Sequence, residues 1–379
     1  MMLLLLPSYY TILLCIQHLM WDCPMPECAT CLPASVHDAP GIGFDLTTSY
    51  GTSAARLHNG STINLAVVQA SSEYRNLMVR LANMRKPPET TIQENFRRWL
   101  NKKVGWPATP DVSIIADLIR QLHRESAKVL QASERIVVTA PLLPAVTQED
   151  INDAIEYAGL QSWLTLPFPY PRRLSEARAA FGANGNGLCQ TYKYLYQCED
   201  EYEDMPFETV YFVSFSQYAL YTTIGAYTSA FALDFSSERY LADFESGLDN
   251  QPPNDTAAYS EYWSHISNQL LDLPKQGNRP VTKLILGGEN ATHPKFLSVL
   301  TEAMNTLSGP FSQVTTTDNG YGDMTVEEPL FAAARGAALY VRWRQEAPFD
   351  CVERDECELE RARMKEAVVT AAPGKAELR

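Results

Sequence analysis

The segment Gly41-Ile42-Gly43-Phe44-Asp45-Leu46-Thr47-Thr48-Ser49-Tyr50-Gly51 concentrates residue types that could handle phosphate. An apolar run delivers one carboxylate, Asp45, and three successive hydroxyls follow at Thr47, Thr48 and Ser49. A turn of backbone N–H groups and hydroxyls suits the terminal oxygens of a nucleotide, and a neighbouring aspartate can hold the water shell of Mg²⁺. The plainer alternative is a β-hairpin whose threonines and serine only satisfy the hydrogen bonds of the turn. Both readings share one local structure: strand, hydroxyl-rich turn, strand, hairpin, strand. The second hairpin is placed at Asn59-Gly60, ahead of the apolar Ile63 to Val68, because Asn-Gly between strand-like runs is a strong hairpin signal.

The elements that must position this segment follow in alternation. Residues 69–106 have helical character, broken at Pro87-Pro88. From Asp111 to Leu130 the apolar positions Val112, Ile115, Leu118, Ile119 and Leu122 recur at helical spacing. Arg135 to Ala140 is an apolar strand stopped by Pro141. Thr147-Gln148-Glu149-Asp150 is similar to a capping box and opens a helix to Tyr157. Leu164 to Leu166 is expected as a short strand, and Glu199 to Asp204 as a solvated acidic loop. Two β-rich runs occupy residues 209–223, and helices are expected around residues 238–244 and 259–271. A strand from Val281 ends in Gly287-Gly288, and a helix begins at Pro294.

Gly43 to Tyr50 resembles the first phosphate loop of the Hsp70 nucleotide-binding domain, within the actin-like ATPase superfamily. That loop normally reads Gly-Ile-Asp-Leu-Gly-Thr-Thr-Tyr; Thr47 stands where the family has glycine, so backbone approach to a phosphate is less free. Val281 to Gly288 with Pro294-Lys295-Phe296 is similar to the family's adenosine motif, and Leu174 to Gly182 and Glu328 to Leu339 to its two hinge helices. The resemblance covers about residues 41–345 in order. It implies an α/β fold of the two-lobed actin-like ATPase (ribonuclease H-like) type, with a mixed central sheet in each lobe. Residues 1–40 would be leader and linker, 41–205 plus 326–346 lobe I, 206–325 lobe II, and 347–379 a charged tail.

The resemblance also implies a site for ATP or ADP with Mg²⁺. Asp45 and Glu176 would be the catalytic pair and hold the metal through water. Thr47, Thr48, Ser49 and Tyr50 would surround the phosphates, and Gly287, Gly288 and Glu289 would contact the nucleoside. Glu176 has a simpler alternative as a first-turn glutamate favoured by the helix dipole. The second phosphate loop departs most: Ser214 stands where an acid should be, and Ser216-Gln217-Tyr218 replace the glycines. Hydrolysis is therefore expected to be weak or absent. No lysine that would position attacking water is identifiable, and Lys86 is only a candidate. Two alternatives stay open: a nucleotide-independent pseudo-ATPase interaction module with an unknown protein partner, and a sugar-kinase relative, for which no sugar-site pattern stands out.

The 379 residues carry a net charge of −14, and no basic patch is large enough to point to nucleic acid. Residues 1–20 contain no charge, which suits a secretory signal or a membrane anchor, since about 20 apolar residues span a bilayer. Cys189 with Cys198, and Cys351 with Cys357, could each close a small loop. Cys23, Cys28 and Cys31 cluster at spacings that could also belong to zinc, but without a second Cys-x-x-Cys. Sequons begin at Asn59, Asn254 and Asn290. The expectation is a disulfide-bonded glycoprotein of the secretory pathway or extracellular space, with a membrane-anchored or cytoplasmic protein as alternatives.

Overall fold

Two sheets with one repeated strand order organise the chain in a computed structural model that describes residues 28, 30–84, 91–130, 133–165, 173–231, 238–277, 279–307, 328–347 and 353–371. The first half runs α1 (Ala34–His37), β1 (Gly41–Leu46), β2 (Tyr50–Arg56), β3 (Thr62–Gln69), α2 (Ser72–Ala82), α3 (Ile92–Lys103), α4 (Pro110–Ala127), β4 (Arg135–Thr139), α5 (Gln148–Tyr157), β5 (Gln161–Ser162), α6 (Glu176–Ala183) and α7 (Leu195–Asp204). The second half runs β6 (Glu208–Phe215), β7 (Leu220–Tyr227), β8 (Arg239–Asp243), α8 (Ala257–Lys275), β9 (Lys283–Gly287), α9 (Pro294–Thr306), α10 (Glu328–Glu346) and α11 (Glu356–Ala371).

The sheets are ordered β3-β2-β1-β4-β5 and β8-β7-β6-β9. In each, the opening strand lies antiparallel to the second and parallel to the fourth, and the third is antiparallel to the second. The registers correspond: Asp45 faces Thr52 and Thr139 across its neighbours, and Ser214 faces Tyr221 and Gly287. The chain is therefore α/β with two mixed sheets, and Ser214 occupies in the second the register position of Asp45 in the first. Both opening strands are almost wholly buried, as strands covered on both faces must be.

Helix α10 supplies much of that cover. A Cβ at Gly43 would collide with the Ala334 and Ala337–Ala338 backbone, and one at Gly41 with the Ala338 carbonyl and Arg342. One apolar core joins the first sheet to α4 through Val112, Ile115, Ile119 and Leu122 and extends to Phe212 and Ile285. A second lies between the other sheet and α8 and α9, around Phe215, Ile266, Leu270 and Phe296.

Several expectations are corrected. Residues 238–244 contain strand β8, paired with β7 from Leu220↔Asp243 to Ile224↔Arg239. That pairing decides it, and as a result Tyr240 and Ala242 pack on one core and Leu241 on the other. The pairing beside β4 falls at Gln161–Ser162, while Trp163–Thr165 turns as a 3₁₀ helix, with the Leu164 amide bonded to the Ser162 hydroxyl at 3.0 Å. The acidic run from Glu199 to Asp204 is the end of α7, where Glu201 accepts from the amides of Gln190 and Thr191 at 2.6 and 2.9 Å. The linker before β1 includes helix α1.

The Cys189–Cys198 disulfide is present, with its Cα atoms 5.3 Å apart. Cys357, by contrast, is bonded to Cys31, 326 residues away, and not to Cys351. That bond consumes the Cys31 thiol and removes the zinc reading of the N-terminal cluster. Residues 1–20, Cys23, Lys86 and Cys351 lie outside the described residues. Among the described residues no helix is long and apolar enough to cross a membrane.

Two outcomes are expected. A Cβ at Gly336 would fall inside the Ala179 carbonyl, so Gly336→Leu should destabilise the fold by roughly 1–3 kcal/mol through overpacking, read as a lowered melting temperature. Non-reducing peptide mapping should recover Cys31 linked to Cys357; a Cys351–Cys357 peptide would contradict this connectivity.

Candidate functional site

Asp45 sits near the end of β1, and the parallel neighbour β4 brings Thr139 beside it. The Thr139 hydroxyl donates to Asp45 Oδ1 at 2.6 Å. Glu176 enters from the first position of α6, behind the N-cap Ser175. Both carboxylates are buried, and Glu176 Oε2 has no hydrogen-bond partner.

Burial raises the Asp45 carboxyl to about 7 against the opposing Thr139 hydrogen bond. Burial, then the charge of Asp45, holds Glu176 well above the usual carboxylate range, and Arg173 opposes this. Sequence resemblance placed these two acids together, and the structure does bring them within electrostatic reach. Two carboxylates in so dry a space hold a proton rather than two charges at neutral pH. Burial, and then carboxylates that include Asp45 and Glu176, also pushes the Tyr50 hydroxyl up.

The hydroxyl-rich turn is occupied with itself. Thr47 Oγ1 accepts from the amides of Ser49 and Tyr50 at 3.3 and 3.1 Å and donates to the Tyr50 carbonyl at 2.8 Å. Tyr74 donates to the Thr47 carbonyl at 2.8 Å. The corresponding turn between β6 and β7 has the same construction. Ser216 Oγ accepts from Tyr218 and Ala219 at 3.3 and 3.1 Å and donates to the Ala219 carbonyl at 3.1 Å. A hydroxyl at the first turn position is what permits this self-capping; glycine offers no such group. Thr48 and Ser49 are buried beside it, and the Ser49 hydroxyl has no partner.

Glu289 bridges the two sheets. Its Oε1 accepts from the Gln217 amide at 3.0 Å, in the second turn, and its Oε2 from Gln69 Nε2 at 3.0 Å, at the end of β3. Arg75 of α2 stacks over the Tyr218 ring at 4.4 Å across the same divide. Gly287 and Gly288 meet a packing demand there: a Cβ at Gly287 would strike the Phe212 ring. Gly288, at φ +97°, lies against the Phe215 backbone. Asn290 donates to Gln217 Oε1 at 3.3 Å. Asn59 and Asn254, by contrast, are exposed sequon positions.

The chain matches no protein-family model and no curated protein. The fit to a nucleotide therefore rests on the residues. The acid pair, with an unpartnered Glu176 oxygen, fits a hydrated cation once both carboxyls are ionised. The two turns do not fit phosphates, because the amides of Ser49, Tyr50, Tyr218 and Ala219 already have acceptors. Sequence reasoning did not find Thr139, Arg173 or the bridging role of Glu289. Only the strand end before Pro141 hinted at the first.

A pH dependence follows. The unfolded Asp45 carboxyl titrates near 3.8 and the folded one near 7. The folded state thus keeps a proton that the unfolded chain releases, and this stabilisation is complete below about pH 4 and lost as pH rises through about 7. Asp45→Asn should therefore be more stable than the parent at pH 8, by about 1–3 kcal/mol, with the gap closing towards pH 5. Melting curves at the two pH values check this; a pH-independent gap would show that Asp45 is ionised throughout.

Proposed function

We propose that this chain is a divergent two-lobed domain of the Hsp70-like, actin-like type, and that it serves as a nucleotide-independent interaction module. The repeated strand order supports the architecture: each sheet opens with a hairpin turn at the end of a buried strand, and α6 and α10 lie between the sheets as hinge helices would. The observation that carries the functional reading is the pair of self-capped turns. Their amides, the groups that would cradle phosphate, are satisfied internally by Thr47 and Ser216. Ser214 at the register position of Asp45 supplies no second metal-facing acid, and Glu289 spans the two sheets with hydrogen bonds to Gln217 and Gln69.

A second reading is favoured by one observation, the unpartnered Glu176 Oε2. There Mg²⁺ would be held through water by Asp45 and Glu176 and would screen the charge of ATP or ADP, with Thr47 to Tyr50 near the phosphates and Gly287 to Glu289 near the nucleoside. That reading requires the two turns to rearrange and the Glu289 bridge to break. A location in the secretory pathway belongs to the same proposal; it is supported by the Cys31–Cys357 and Cys189–Cys198 disulfides, since such bonds persist in oxidising compartments.

Calorimetry with ATP and ADP, with and without Mg²⁺, tests the choice. The expected result is no binding tighter than about 1 mM and no phosphate release. Mg²⁺-dependent binding at about 10 μM or below, with turnover abolished by Asp45→Ala, would establish the second reading instead.

A further inference from the structure

Helix α3 is mounted with its charged side inward. A capping box between Thr91 and Glu94 closes its N-terminus. Arg98, whose side chain is 11% exposed, bonds Asp153 and Asp150 of α5 at 2.5 and 2.9 Å. One turn later, Lys102 bonds Asp153 and Glu156 at 2.6 and 2.7 Å. No residue of the helix is buried. The side turned to solvent carries Ile92, Phe96, Trp99 and Leu100, continued by Val104 and Trp106, with exposures between 43% and 89%. Phe96 and Trp99 stack with centroids 5.7 Å apart. An ordinary surface helix does the reverse, burying its apolar stripe and solvating its charges. Here the ion pairs to α5 fix the helix so that the stripe is presented outward, and contiguous exposed apolar surface of this kind marks an interaction site.

Charge selects the occupant. Residues 91–106 contain four lysines and arginines against one glutamate, within a chain of net charge −14. Arg98 and Lys102 are committed to the carboxylates of α5, which leaves Arg97 and Lys103 as the cations of the exposed side. Arg97 and Lys103 sit among the exposed aromatics, and Lys103 has no ion-pair partner among the described residues. We propose that this face docks on an anionic lipid surface. A single helix presents a convex strip without walls to enclose a peptide. Tryptophan and phenylalanine beside cations are what a headgroup boundary receives: rings at the level of the glycerol backbone, cations at the phosphates. The acidic remainder of the molecule is repelled by the same surface, so it leaves this face as the one that can approach and sets the orientation of docking.

The test is co-sedimentation of the full chain with vesicles of phosphatidylcholine alone and with about 30% phosphatidylserine. The serine-containing vesicles should bind it preferentially, and added salt should weaken binding. The double variant Phe96→Ser/Trp99→Ser should lose about tenfold or more in affinity, while its melting temperature stays that of the parent because both side chains are exposed. Arg97→Glu/Lys103→Glu should erase the preference for the anionic vesicles. Residues 1–20 are themselves apolar, so the comparison with the variants decides: vesicle binding unchanged in Phe96→Ser/Trp99→Ser would overturn the proposal. So would absence of binding to either vesicle, or concentration-dependent self-association that this variant abolishes, which would make a second copy of the chain the occupant.

Discussion

Helix α10 lies directly on the backbone of β1 because Gly41 and Gly43 present no side chain and Ala334, Ala337 and Ala338 present only methyls. On another side the same helix meets α6, backbone to backbone, at Gly336 and Ala179. These contacts fix more than packing. Asp45 belongs to the strand that α10 covers, and Glu176 is one turn before Ala179 on the helix it touches. The separation of the two acids is thus set by small residues that take no part in their chemistry. Farther along, Arg342 donates to the carbonyls of His37 and Ala39, both at 2.7 Å, so the approach to β1 is fastened to this helix as well.

Around this frame the polar groups divide into two kinds. In the turns, Thr47 and Ser216 each accept from two amides of their own turn, at equivalent places in the two sheets. The acid pair has no such internal satisfaction. Asp45 has Thr139, but Glu176 keeps a buried oxygen without a partner, a state that low dielectric makes costly unless a proton or cation compensates. The two kinds depend on different features: the acids on strand and helix register, the turns on one hydroxyl at the head of each.

The parts legible in the sequence were those with local causes. The hairpins around Asn59-Gly60 and the hydroxyl turn, the helix capped at Thr147, and the strand ending in Gly287-Gly288 all follow from residues close in the chain. Strand β8 did not, because Arg239 to Asp243 is too short to show a period and owes its form to pairing with β7. The Cys31–Cys357 bond was equally hidden, since spacing favoured the nearer Cys351. Asp45 and Glu176 lie within electrostatic reach of each other, while the effect of Thr47 became plain only with its hydrogen bonds. A threonine at the head of the turn restricts the backbone and also supplies the acceptor that occupies it.

The Cys31–Cys357 bond has one more implication. It joins α1's approach to the start of α11 and makes the intervening chain a covalent ring that includes both sheets. Tension applied outside that ring passes through two sulfur atoms and bypasses every strand. A single peptide cleavage inside it opens the ring without releasing a fragment, so a cut in an exposed loop leaves the two pieces tethered and free to re-pair. Under oxidising conditions the folded unit resists mechanical extension and tolerates a nick; under reducing conditions it has neither protection.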